Sequence, residues 1–188
     1  MTLDASHRRQ LLELARASIN AALRRGSYLA PQIKGAGCEL LERRSSFVTL
    51  RLNGELRGCT GTLEASRTLA EDVWRNAYGS AFADPRFAPL TVEEWRMSDL
   101  HISVLTAPQL MSVANERDLI AQLRIDVDGL ILQLGAARAT FLPSVWRQIA
   151  DPASFVRCLK LKAGWPADFW SPQIRVFRYC SESFEEQD

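Results

Sequence analysis

The stretch Ser46-Phe47-Val48-Thr49-Leu50-Arg51-Leu52-Asn53-Gly54-Glu55-Leu56-Arg57-Gly58-Cys59-Thr60-Gly61 decides how this chain is read. Its first seven residues alternate and are rich enough in β-branched and aromatic side chains for a strand. Asn53-Gly54 is the favoured pair for a type I′ turn, so the residues from Glu55 to Leu63 return as a second strand. A two-residue turn sets Leu50 opposite Arg57 and Val48 opposite Cys59. Arg57 and Cys59, two apart, then share one face, the apolar face of the hairpin. Gly58 and Gly61 leave open backbone beside them, where a ligand or another segment can approach.

Helical signals surround this hairpin. Leu11, Leu12, Ala15, Ile19, Ala22 and Leu23 recur at helical spacing over residues 5–25, and Gly26 ends the run. Ser27 to Gly37 carries Pro31, Gly35 and Gly37 and reads as a loop. Ser66 is placed to cap a helix reaching Phe82, which Asp84-Pro85 breaks. Thr91-Val92-Glu93-Glu94 has the form of a capping box, and Leu100 to Thr106 alternates as a strand. Further on, the residues from Asn115 to Leu123 read as a helix. A second hairpin follows around Gly135, then a short helix opened by Pro143 and another from Pro152 to Lys162. Gln173 to Tyr179 reads as a last strand, followed by an acidic tail at Glu185-Glu186. Strands and helices interleave without a strand–helix–strand repeat, so the fold class is α+β, a mixed or antiparallel sheet with packed helices.

Composition narrows the partners. The chain has 188 residues, with 47% hydrophobic and 24% charged side chains. Its net charge of +1 supplies no bulk attraction to nucleic acid or an anionic membrane. Met1-Thr2-Leu3-Asp4 lacks the layout of a signal peptide, and no apolar run is long enough to span a membrane. The expected location is the cytoplasm. Cys38, Cys59, Cys158 and Cys180 form no Cys-x-x-Cys pair and are accompanied by only His7 and His101, which argues against a zinc site; the four thiols are expected to be free and mostly buried.

Six segments follow one another along the chain: Leu56-Arg57-Gly58-Cys59-Thr60-Gly61, Asp84-Pro85-Arg86-Phe87, Ile102-Ser103-Val104-Leu105, Asp128-Gly129-Leu130-Ile131, Leu142-Pro143-Ser144-Val145-Trp146 and Lys162-Ala163-Gly164-Trp165. Together, in this order, they resemble the AMMECR domain, named in prokaryotes AmmeMemoRadiSam system protein A. Thr60 stands where the family signature has Ile, and His101 where members often carry an acid. The resemblance implies one compact α+β domain over residues 8–185, made of two lobes with the signature lining a cleft between them, and flexible ends at 1–7 and 186–188. It also implies association with a Memo-like protein and a radical SAM protein. It names no cofactor, and this chain lacks the cysteine cluster that an iron–sulfur centre would need.

Each candidate residue has two readings. Cys59 is a nucleophile, with His101 as the imidazole partner, or a small apolar filler opposite Val48. Arg57, on an apolar face, needs a carboxylate or a bound anion. Either it pairs with Asp84, or Arg57 and Arg86 together hold a phosphate or carboxylate. Gly58 and Gly61 serve close packing or ligand approach. The five tryptophans are expected in the core. Lys162 complements a helix C-terminus or forms a basic rim. Glu93 and Glu94 are read only as favourable first-turn charges. Two function classes therefore stand: a small enzyme or enzyme component that binds an anion, and a non-catalytic module whose Gly58/Gly61 strand pairs with a partner segment.

Overall fold

The computed structural model describes residues 3–31 and 37–186; residues 32–36 of the expected loop after Gly26, including Gly35, lie outside them. The chain divides into two compact units, Met1–Leu105 with Glu182–Asp188, and Thr106–Ser181.

In the first unit, helix α1 spans Ala5–Arg25. Asp4 caps it by accepting from the His7 N–H, and Gly26 closes it in the left-handed conformation at φ 71°. Its buried stripe, Leu11, Ala15, Ile19 and Ala22, is the one its periodicity predicts. The helix begins before residue 8. Leu3 is 2% exposed, and its N–H donates to the Glu182 carboxylate.

Strands β1 (Ser46–Leu52) and β2 (Glu55–Gly61) form the expected hairpin, with Asn53 and Gly54 at φ 53° and 80°. Helix α2 (Leu69–Phe82) follows. Its cap is Thr68 rather than Ser66, because Thr68 has Glu71 three residues on and so completes a reciprocal capping box. The short helix α3 (Val92–Arg96) has the capping box expected at Thr91 and Glu94. Strand β3 covers Ser98–Leu105. Strand β8 (Ser181–Glu185) replaces the expected acidic tail: it is the last strand of the sheet β2-β1-β3-β8. Leu50, Leu100, Ile102 and Val48 meet Leu69, Val73 and Ala77 of α2 in the core of this unit. Asp72 of α2 is also buried, accepting from the Ser46 N–H and hydroxyl and from Thr62, which ties the hairpin to the helix.

The second unit holds the sheet β4-β7-β5-β6, made from Gln109–Leu110, Arg175–Tyr179, Gly129–Leu134 and Ala137–Phe141. Helices α4 (Glu116–Gln122) and α5 (Pro152–Lys162) and a 3₁₀ turn at Pro143–Arg147 complete it. Trp146 stacks on Phe155 with ring centroids 3.8 Å apart, at the centre of a separate core. Lys160 is fully buried and paired with Glu116 at 2.7 Å. Among the described residues, no helix is long and apolar enough to cross a membrane.

Candidate functional site

The hairpin's register differs from the expected one at a single place. Leu52 pairs with Glu55 and Arg51 with Leu56, as a two-residue turn requires, but Leu50 pairs with Gly58. Arg57 is the extra residue of a β-bulge, which breaks the alternation and turns its side chain out of the ladder. The packing of α2 explains the shift. A Cβ on Gly58 would lie 2.0 Å from the Ser80 carbonyl oxygen, so only glycine can stand opposite Leu50 under that helix. Beyond the bulge, every residue changes face from the one expected. Cys59 therefore lies opposite Thr49, not Val48, on the side of the sheet away from α2, and it is not a core filler.

The open backbone expected beside the glycines is occupied. Gly58 meets Ser80, and a Cβ on Gly61 would lie 2.1 Å from the Phe47 ring. Both serve close packing. The strand does form the edge of its sheet. At Cys59, however, that edge is already closed. The Cys59 N–H donates to Asp84 Oδ2 at 2.9 Å, and its carbonyl accepts from Arg86 Nη2 at 3.4 Å.

Arg57 does not pair with Asp84. Its Nε and Nη2 donate to the two oxygens of Glu94, at 3.0 and 2.9 Å, and Nη2 also donates to the Ala88 carbonyl. The residue is 9% exposed. Its remaining nitrogen, Nη1, is buried and has no partner among the described residues. Glu94 is oriented for this role by the capping box of α3, where its carboxylate also accepts from the Thr91 N–H. The forked pairing with Arg57, and then the Thr91 N–H, push its carboxyl down to about 2. Reading Glu94 only as a first-turn charge misses this partnership. Its sequence signal is the capping box, which aims the carboxylate back along the chain, and nothing in it names Arg57.

Asp84 pairs with Arg86 instead, two residues on. Its side chain is 3% exposed and accepts from Arg86 Nε and Nη2 at 3.0 and 2.7 Å. The Arg86 guanidinium, then the Cys59 and Arg86 backbone N–H groups, hold the Asp84 carboxyl well below the usual carboxylate range. Arg86 itself is 55% exposed. The guanidinium carbons of Arg57 and Arg86 lie 5.7 and 5.5 Å from the centre of the Phe87 ring, so two cations share one aromatic side chain.

Cys59 and His101 lie in one cross-strand row, each paired with Thr49. They are not neighbours: two strand spacings, about 10 Å, separate their backbones. Thr49 stands between them, its hydroxyl 3.3 Å from the Cys59 sulfur and donating to it. Lys162 donates to the Thr140 carbonyl and sits 5.2 Å from the Phe141 ring, so it braces β6. Trp74, Trp95 and Trp146 are buried, while Trp165 and Trp170 pack partly buried against the second core. Among the described residues, no three His, Cys, Asp or Glu side chains converge as metal ligands.

Comparison with known proteins gives a consistent result. The sequence profile of the AMMECR1 family matches residues 12–184. A protein of Methanothermobacter thermautotrophicus is 35% identical, with 98% of this chain and 96% of the relative aligned. Protein MJ0810 of Methanocaldococcus jannaschii is 36% identical over 77% of this chain and 74% of its own length. The crystal structure of the uncharacterized protein PH0010 from Pyrococcus horikoshii superposes with a TM-score of 0.77 at 32% identity, covering 94% of this chain and 90% of that one.

Proposed function

The chain belongs to the AMMECR1 family, and from that premise we propose that it is an enzyme or enzyme component that binds a small anionic ligand, a carboxylate or phosphate, beside Arg57 and Arg86. The observation that carries this reading is Arg57 Nη1, a buried donor nitrogen left without an acceptor. Such groups are rare, and each costs roughly 1–3 kcal/mol of desolvation. A ligand oxygen would offset that cost. Glu94 and Ala88 hold the rest of the guanidinium still, so its free edge is already oriented. Arg86 adds a second, solvent-reaching cation, while Asp84 anchors Arg86 to the strand. In this reading Cys59 is the reactive or ligand-contacting thiol, and His101 carries a proton along the row through Thr49.

Titration of the native protein with inorganic phosphate tests the reading. Phosphate is expected to raise Tm and slow the alkylation of Cys59 by iodoacetamide, and Arg86→Gln to weaken both effects about tenfold. Because Arg86→Gln also takes the guanidinium from buried Asp84 and so lowers stability by itself, each phosphate-induced shift is read against the same protein without phosphate. Equal phosphate binding by wild type and Arg86→Gln would reject the anion site.

The second reading, an interaction module for a Memo-like or radical SAM partner, draws on the edge position of β2, where Leu56 is 39% exposed. Because Asp84 and Arg86 already close the edge at Cys59, an added strand would have to pair closer to the turn.

A further inference from the structure

A pocket of about 380 Å³ opens in the first unit where α1 meets α3. Three arginines line it, Arg16, Arg24 and Arg96, together with the apolar surfaces of Leu23, Val92 and Trp95. We propose that this pocket is a second ligand site, distinct from the Arg57 corner, and that it takes a small organic anion joining a carboxylate or phosphate to a flat apolar body.

The charges do not balance within the protein. Arg16 is paired in a fork with Glu186. Arg24 and Arg96 have no carboxylate or carbonyl partner among the described residues, and both are exposed. Glu186 and Asp99 both oppose Arg16, so the uncompensated positive field at this concavity comes from Arg24 and Arg96, and an incoming anion would neutralise it. The apolar part is equally defined. Trp95 is 6% exposed, and its indole N–H donates to Asn20 Oδ1 at 2.8 Å, which fixes the ring. Arg16 lies 4.7 Å over that ring. Val92 is 42% exposed beside it, an uncovered aliphatic surface. A bare inorganic anion would leave this surface wet, and a neutral apolar molecule would leave the arginines without a counter-ion. The volume falls within the roughly 300–1,000 Å³ usual for small-molecule sites. α3 separates the two sites, since Glu94 turns to Arg57 while Val92, Trp95 and Arg96 line the pocket.

Isothermal titration of the full chain at neutral pH tests the proposal, with 2-naphthoate, 2-naphthyl phosphate, 2-naphthol and inorganic phosphate as probes. Both naphthyl anions are expected to bind, and 2-naphthol to bind at least about tenfold more weakly. Inorganic phosphate is expected to leave naphthoate binding undiminished. The double variant Arg24→Gln/Arg96→Gln should weaken both naphthyl anions about tenfold or more at unchanged Tm, because both side chains are exposed. Arg86→Gln, which reports on the other site, should leave the naphthoate binding that depends on Arg24 and Arg96 in place. The proposal is overturned if 2-naphthol binds as tightly as 2-naphthoate, if neither naphthyl anion binds, if the double variant binds like wild type, or if Arg86→Gln abolishes binding. The comparison of 2-naphthol with 2-naphthoate uses wild type alone and stands whatever the variant's stability.

Discussion

A single glycine sets the chemistry of the hairpin. Gly58 lies under Ser80 with no room for a methyl group, and the bulge that places it there turns Arg57 toward Glu94 and Cys59 toward Thr49. Gly58→Ala must therefore push against helix backbone rather than a movable side chain. It is expected to destabilise the fold by about 3 kcal/mol, at the upper end of overpacking effects. Gly54→Ala, at φ 80° but with open space around it, should cost only about 1 kcal/mol. Urea denaturation of both variants checks this contrast, and equal losses would mean that the close approach at Gly58 is not what constrains it. The residue types of the candidate site were legible in the sequence: a thiol and two arginines in a short motif pair. Their partners were not. Arg57 and Glu94 are 37 residues apart, and no periodicity connects them.

Among the elements, α3 has the largest consequence for its length. Five residues present Glu94 to β2 on one side and Trp95 to α1 on the other. The link between α3 and β2 titrates. Because the folded-state pKa of Glu94 is lowered, from 4.5 to about 2, its contribution is complete above pH 4.5 and is lost as the pH falls toward 2. The urea midpoint of the wild type should thus fall across that window. Glu94→Gln should start lower at pH 7 and fall less over the same interval. Parallel curves for the two proteins would show that the Arg57–Glu94 pair contributes nothing to stability. Element positions were largely readable: α1, β1, the Asn53-Gly54 turn and α5 lie where capping residues and spacing place them. β8 was missed because Ser181–Glu185 is polar and acidic, and its strand form depends on pairing at the sheet edge rather than on its own propensity.

For the whole molecule, two separate cores stabilise two units, one around Leu50 and Val73 and the other around Trp146 and Phe155. Phe155→Ala removes a fully buried ring stacked on Trp146 and is expected to cost about 3–5 kcal/mol. Hydrogen exchange should show faster opening of β5, β6 and β7, with the β1–β3 amides keeping their protection. Uniform loss of protection across both units would show that they unfold as one. By itself, the sequence determined most of the element types, though not β8, together with the α+β class and the family, because these rest on local spacing, turn chemistry and ordered motifs that a linear chain carries intact. Only the tertiary structure decided the one-residue shift at Arg57, the pairing of Asp84 with Arg86, the closed edge at Cys59 and the arginine-lined pocket between α1 and α3. Each depends on atoms that are distant in sequence or on a steric limit at one packed position, and a strand displaced by one residue presents its opposite face.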